Sequence, residues 1–381
     1  MYLTSFSYSE YTGRPQAWSI EPFRLAKVTL LVGKNATGKT RTLNAIFGIG
    51  RLLSGQQSLT YQSGQYQLQF SYELSQEQPS YQYELDYEDK SVVLERLVEG
   101  TVVRLQRSSS GTGTIYAEKI ESDLDFQIAN NQLAAAVKRD LAQHTYLEHI
   151  YNWAQSVRIL RLGRQTQNLG IFIAGEPSVD TVSSESSSIA AAFISGERNF
   201  GPERFNAEIV KNMNELGYPI QTIQVIDLGS LRGVTVPPGM PIQILAIKEK
   251  DVNVSVDQSQ MSAGMFRALD VLVRIHLAKL QERPFCLLID DIGEGLDFAR
   301  SSALVQLLVK FVEDSELQVV MTTNDRFIMN TVPLKYWSVV HREGGSVLVF
   351  NERSHPKAFK EFEDLGLSNF DFFSRKVFLE R

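Results

Sequence analysis

The chain is poor in cysteine, in long apolar runs and in any surplus of one charge. One cysteine in 381 residues rules out an internal disulfide, which suits a reducing compartment. That residue, Cys286, lies in the apolar stretch PFCLLID, where a buried and inert thiol is expected. No apolar run approaches the roughly 20 residues needed to cross a bilayer. The N-terminal MYLTSFSYSEYTG has no basic segment followed by an apolar one, so no secretory signal is read there. The expectation is a cytoplasmic protein without a membrane partner. Charges nearly balance, 38 Lys and Arg against 44 Asp and Glu for a net of −6, which excludes a globally basic nucleic-acid coat but not a local basic patch. Histidines 144, 149, 276, 341 and 355 have no metal-ligand spacing. There is no internal repeat, and no sustained heptad pattern from which a long coiled-coil arm could be built.

What is present alternates. RLAKVTLLVG reads as a buried strand, and KTRTLNAIFGIGRLL as a helix with Leu43, Ile46 and Phe47 at helical spacing. From about Tyr61 to Ile120 the pattern changes to alternating Tyr- and Val-rich segments (YQLQFSYEL, YQYELDYED, SVVLERLV, TVVRLQR), which reads as an antiparallel β lobe. About Asp125 to Gln155 reads as helical, VRILRL as a strand, and the serine-heavy stretch 178–188 as a loop. PERFNAEIVKNMNELG is an amphipathic helix. Towards the C-terminus GMFRALDVLVRIHLAKLQE is a helix, FCLLIDD a strand, ARSSALVQLLVKFVED a helix, LQVVMTT a strand, and YWSVVHREGGSVLVFN a pair of strands. The fold class is α/β, with a discontinuous nucleotide-binding core over 1–60 and 220–381. Residues 61–219 form an insertion: a β lobe at 61–120 and a helical and loop region at 121–219.

The chemistry is concentrated in one stretch. Gly33, Lys34, Asn35, Ala36, Thr37, Gly38, Lys39 and Thr40 match the phosphate-binding loop G-x-x-x-x-G-K-[ST] in full, between a strand and a helix, and Arg41 follows. Glycines let backbone N–H groups turn inward around a phosphate, and the helix start adds positive potential. Lys39 reaches the β- and γ-oxygens, while Thr40 offers a hydroxyl to magnesium. A second magnesium ligand belongs at the end of another buried strand, where FCLLIDD supplies Asp290. Asp291 then stands where a carboxylate can polarise an attacking water. Ser262, in SQMSAGMFRAL, is placed to cap the following helix, and a helix start carrying a hydroxyl suits a γ-phosphate.

In this order, the loop, the Ser262-Ala263-Gly264 helix start, the apolar strand ending in Asp290-Asp291 and then Leu296-Asp297 resemble the ABC-type ATPase heads of the SMC and RecF kind. The resemblance implies an ABC-ATPase head with a P-loop central sheet, an antiparallel β lobe and a helical insertion, and it implies ATP and Mg2+ as ligands. It makes Ser262 and Gly264 the signature motif that meets the γ-phosphate held by another protomer, and GEGLD at 293–297 the D-loop. Asn324 falls at the switch position, with Glu294 a candidate substitute near the γ-phosphate. Paired heads then form a homodimer, or a higher homo-oligomer, around sandwiched ATP. Within the group the chain looks most like stand-alone ATPase subunits of OLD-type anti-phage modules, and the tail EFEDLGLSNFDFF resembles the ends of such domains. That likeness implies a separately encoded effector, a nuclease among the candidates, with nucleic acid as a further partner.

Departures from the family pattern matter. Ala36 stands for the usual second glycine, and Met-Ser-Ala-Gly-Met for Leu-Ser-Gly-Gly-Gln. Asp291 replaces a glutamate and is one methylene shorter. A misplacement of about 1 Å in a positioning group costs on the order of a hundredfold in rate, so slow hydrolysis is expected. A RecF-like repair ATPase binding DNA directly is the alternative. A transporter ATPase subunit fits less well, because over two hundred residues separate Gly33 from Ser262. Arg14 and Phe23 are candidates for contacting a base or sugar, and Phe370, Phe372 and Phe373 for docking into a core.

Overall fold

The computed structural model describes residues 1–59, 62–74, 78–162, 172–173, 188–230, 236, 242–281 and 285–379. Its contacts divide into two compact units, Met1–Val157 with Pro284–Leu288 and Gln318–Arg381, and Arg158–Arg283 with Ile289–Leu317.

In chain order the first unit opens with β1 (Tyr2–Glu10), β2 (Trp18–Arg24), β3 (Val28–Val32) and helix α1 (Lys39–Leu53). It continues through β4 (Ser63–Ser71), β5 (Tyr81–Glu88), β6 (Ser91–Glu99), β7 (Val102–Ser108), β8 (Thr112–Ala117) and β9 (Ser122–Gln127) to α2 (Ala134–Val137) and α3 (Thr145–Ser156). Strand β10 (Val157–Arg161) carries the chain into the second unit, which holds β11 (Phe172–Ile173), α4 (Ile189–Phe200), α5 (Pro202–Glu215), β12 (Ile220–Asp227), β13 (Ile242–Glu249), β14 (Ser255–Asp257) and α6 (Ala263–Gln281). Strand β15 (Phe285–Asp290) begins in the first unit and ends in the second, where α7 (Phe298–Glu313) follows. The first unit closes with β16 (Leu317–Thr323), α8 (Arg326–Thr331), β17 (Trp337–Glu343), β18 (Ser346–Asn351), α9 (Pro356–Glu363) and α10 (Asn369–Ser374).

The first unit is organised by one sheet in which β15, β16, β3, β17, β18, β2, β1 and β4 are successive neighbours, followed by β5 to β9 in chain order. Around β3 it is parallel: Val319 to Thr323 of β16 stand opposite Val28 to Val32 on one side, and Trp337 of β17 stands opposite Leu30 on the other. All five residues of β3 are buried, as a parallel strand with both faces covered requires. From β1 to β9, each strand except β2 and β3 pairs antiparallel with the next in the meander, so the Tyr-rich lobe continues the core sheet instead of standing apart from it.

The helical reading of 125–155 holds over its last part and is corrected over its first. Ser122–Gln127 is a strand, paired with β8, and it shows no burial alternation because it is an exposed edge. Continuous helix is confined to α3, after the single turn α2 whose first amides donate to buried Glu95 at 2.7 and 2.9 Å. Helix α4 was not expected; Ser188 caps it, its hydroxyl accepting from the Ala191 amide at 3.0 Å. The rest of the serine-heavy stretch, 178–187, lies outside the described residues.

In the second unit α6 is buried on most sides, from Gly264 and Met265 to Leu277 and Ala278, and it packs on α4 and α5. Burial all round explains why its apolar residues form no narrow stripe. Strands β11, β13 and β12, with β14 on β13, make a small antiparallel sheet in the same unit. Cys286 is buried, and burial pushes its thiol up to about 12. Phe372 is buried against Phe359 and Phe362 with ring centres 4.6 and 5.1 Å away, so the C-terminal aromatics do dock, Phe370 and Phe373 being half-buried at the edge of that cluster. Among the described residues no helix is long and apolar enough to cross a membrane, and no three His, Cys, Asp or Glu side chains cluster to hold a metal.

Candidate functional site

The loop leaves the carboxyl end of β3 and turns directly into α1, the edge at which open α/β sheets bind ligands. Its backbone is bent in two places that few residues tolerate: Ala36 has φ 62 and Gly38, the N-cap of α1, has φ 108. Left-handed residues within such a loop swing successive amides towards a common centre, making an anion nest. Ala36 adopts this geometry at a cost of about 1–2 kcal/mol that glycine would avoid.

Two glycines are required by space as well. A Cβ on Gly33 would lie 2.7 Å from Thr37 Oγ1 and 2.9 Å from the Val340 carbonyl oxygen of β17. One on Gly38 would lie 3.0 Å from Val347 Cγ2 and 3.3 Å from the Trp18 ring. The loop is braced from inside by Thr37, whose hydroxyl donates to the Lys34 carbonyl at 2.9 Å. Lys39 is buried, and its ammonium donates to the carbonyls of Gly33 at 2.8 Å and Lys34 at 2.9 Å. A cationic amine inside a ring of loop backbone is the donor set a phosphate needs, so these residues fit the β- and γ-phosphates of a nucleotide.

Asn324 joins this loop through the sheet register. Thr323 of β16 stands opposite Val32, so the next residue emerges beside Gly33, and the Asn324 amide donates to Asn35 Oδ1 at 2.6 Å. Arg342 of β17 reaches the Ala36 carbonyl at 3.4 Å. Arg41 is engaged away from the loop: it pairs with Glu10 and lies 4.1 Å over the Trp18 ring. Lys34 and Asn35 are exposed. Trp18 and Arg342 went unnoticed in the sequence, since a lone aromatic and a lone arginine far along the chain carry no motif. Of the base-contact candidates, Phe23 is buried edge-on against Phe6, centres 6.3 Å apart, and is closed to a ligand. Arg14 is half-buried, its guanidinium 3.5 Å from Glu88.

The remaining candidates belong to the second unit. Asp290 ends β15 and is buried, as a residue closing an apolar strand must be. Asp291 follows at φ 54, a left-handed backbone for which aspartate is better suited than most residues. The loop then runs through Gly293 at φ 94, Glu294 and Gly295 at φ 75 to Asp297, which caps α7 by accepting from the Arg300 amide at 3.0 Å. That hydrogen bond from the Arg300 amide, with the Arg300 charge, holds the Asp297 carboxyl below its ordinary range. Ser262 is exposed, and its hydroxyl accepts from the Met265 amide at 3.2 Å, so it does cap α6. Gly264 faces the 293–297 loop so closely that a Cβ there would lie 2.6 Å from the Gly295 carbonyl oxygen. The structure thus brings Ser262, Gly264 and Glu294 into one neighbourhood, and the phosphate loop and Asn324 into another.

No protein-family model matches this chain, and no curated protein sequence matches it. Solved structures do. The chain is similar to the Smc head bound to the C-winged helix domain of ScpA, with a TM-score of 0.51, 14% identity, and 92% of this chain and 97% of that one covered. Further matches are the SMC head domain from Thermotoga maritima (TM-score 0.43, 13% identity, 92% and 99% covered) and the Smc head with an extended coiled coil, bound to the C-terminal domain of ScpA, from Pyrococcus furiosus (0.48, 12%, 96% and 99%). The first of these carries the assignment: the fold is the mixed α/β fold of an SMC-type, ABC-class ATPase head.

Proposed function

We propose that the chain is an ABC-type ATPase that works as an ATP-gated dimerising switch for a separately encoded effector, a nuclease of an anti-phage module being the reading its resemblances favour. The observation that carries it is the complete loop Gly33–Thr40, bent and glycine-dependent at the end of a central parallel strand, in a chain with the fold of an SMC head. Reading 61–219 as an insertion into a nucleotide-binding core is part of the same proposal.

In this reading Lys39 and the loop amides hold the phosphates, and Thr40 and Asp290 hold magnesium. Bound Mg·ATP supplies the phosphoanhydride bond and most of the charge neutralisation at it. Asp291 orients the attacking water, Asn324 supports the loop through Asn35, and Glu294 stands by on the 293–297 loop. Ser262 and Gly264 meet the nucleotide of a second copy, which makes closure of two heads depend on ligand. Asp291 is one methylene short of the usual glutamate, so turnover stays well below the order of tens per second.

The test is size-exclusion chromatography with light scattering on wild type and Lys39→Ala, with and without Mg·ATP. Wild type is expected to dimerise or assemble further only with Mg·ATP, and Lys39→Ala to remain unassembled throughout. Identical elution of both proteins in every condition sinks the gating account.

A further inference from the structure

Arg267 lies on α6 one turn beyond Gly264, and none of the motifs accounts for it. Its Nη1 donates to the Glu294 carbonyl at 2.8 Å. The contact is also steric. A Cβ on Gly295 would lie 1.7 Å from that Nη1 and 2.9 Å from Cζ, and one on Gly264 would lie 2.6 Å from the Gly295 carbonyl oxygen. Two glycines on facing elements therefore allow backbone to approach backbone, and the guanidinium fills the gap beside them. Among the described residues its Nε is buried without a hydrogen-bond partner, and buried donors are seldom left so. Within the loop run two short turns, Glu294 N to Asp291 O and Leu296 N to Gly293 O, both 3.0 Å, and its far end is fixed by the Asp297 cap of α7. Arg267 is what ties those turns to a long, buried helix.

We infer that Arg267 is a positioning residue that locks the 293–297 loop onto the first turn of α6, so that Ser262 and the loop face a second copy as one preset surface. The inference rests on the dimerising reading above and deepens it: the arginine acts on the partner's site, never on the site of its own protomer. It touches no reacting atom. Its effect runs through the Glu294 carbonyl and Gly295, which set how the 293–297 loop stands against the Ser262 end of α6.

Two measurements separate this inference from the reading beneath it. The first is hydrogen exchange of residues 291–298 in the nucleotide-free protein. Arg267→Ala is expected to exchange there at least tenfold faster than wild type with the rest of α6 unchanged, and Arg267→Lys to recover part of the protection. Gly295→Ala, which drives a methyl into the guanidinium, should give the same local signature. The double variant should be no worse than the poorer single, as for two residues in one contact. Unchanged exchange in Arg267→Ala overturns the lock, whether or not the protein dimerises.

The second is complementation. Lys39→Ala and Arg267→Ala are each expected to lose Mg·ATP-dependent assembly and at least tenfold in turnover. A mixed dimer has one site with the intact Lys39 of one copy facing the intact Arg267 of the other. Only mixed pairs hold a complete site, one of the two in each dimer, so an equal mixture should regain assembly and up to about half of the wild-type rate. If wild type assembles and the mixture stays inactive, Arg267 does not act across the pair. If wild type itself never assembles, the switch fails while the exchange result still judges the lock.

Discussion

Replacing Gly33 by alanine tests the phosphate loop with a perturbation whose size can be worked out. The new methyl would sit 2.9 Å from the Val340 carbonyl oxygen, 0.5 Å inside the 3.4 Å at which ordinary contact begins, and 2.7 Å from Thr37 Oγ1, 0.7 Å inside it. Thr37 can rotate away, but only by giving up its 2.9 Å bond to the Lys34 carbonyl. Val340 cannot: it is buried in β17, paired with Val349 of β18. The loop itself must therefore move, by about half an ångström, and Lys39 moves with it because the Gly33 carbonyl accepts from its ammonium at 2.8 Å. Overpacking of this kind costs about 1–3 kcal/mol of stability. A displacement approaching 1 Å in a positioning element costs on the order of a hundredfold, so ATP is expected to bind about 10- to 100-fold more weakly, roughly 1.4–2.7 kcal/mol. Calorimetric titration with Mg·ATP reads the affinity and thermal unfolding reads the stability. Gly55→Ala is the control: at φ 72 with nothing within 4 Å of its Cβ, it should lose only the roughly 1 kcal/mol of a left-handed alanine and bind ATP normally. Gly33→Ala with wild-type affinity would refute the reasoning that the loop is held where it is by that close approach.

Asp291→Asn should leave Mg·ATP affinity within about threefold and reduce turnover by on the order of a hundredfold, the pattern of a group used only in the transition state; equal turnover in single-turnover assays would remove Asp291 from that role. Asn324→Ala deletes an exposed hydrogen bond to Asn35, so ATP affinity should fall by no more than about the tenfold that a single such bond supports, read by the same titration; a thousandfold loss would mean Asn324 does far more than brace the loop. His276 is buried, and burial, with Lys279 nearby, lowers its pKa to about 4. Asn212 Nδ2 lies 2.7 Å from its Nε2, a contact that an unprotonated nitrogen accepts. An unfolded histidine titrates near 6.5, so the unfolded state binds the extra proton first. Stability is complete above about 6.5 and falls by about 3 kcal/mol as the pH drops towards 4. Urea midpoints at pH 7 and 4.5 should show a smaller acid loss in His276→Gln than in wild type; equal losses would show that His276 carries no such penalty.

Some of this was legible in the chain as written. The loop from Gly33 to Thr40, the strand before it and the helix after it announce themselves by composition and period, and β3, α1, α6, β15, α7 and β16 stand where the alternation puts them. Ser262 is a cap in the structure for the same reason it looks like one in the sequence, a hydroxyl just ahead of a helical apolar pattern. What escaped was what burial does not mark. Strand β9 is exposed along nearly its whole length, and its alternation, Leu124 and Phe126 between polar residues, is too short to stand out beside the helical pattern that follows, while α4 follows directly on a serine-rich stretch that masks its start.

The residues by themselves determined local matters: which segments are helix and strand, where a phosphate-binding turn is possible, and that no disulfide can help. Those follow from dihedral preferences and from periodicity over a few neighbours, which any window of the chain contains. Only tertiary structure decided the company each residue keeps. Asn324 meets Asn35 across 289 positions because a parallel register aligns two strand ends. Trp18 closes on Gly38, Val340 on Gly33 and Arg267 on Gly295 because packing brings elements together at distances that admit a hydrogen atom and no methyl. Such contacts arise from the shape of surrounding atoms, and no short stretch of sequence records a shape.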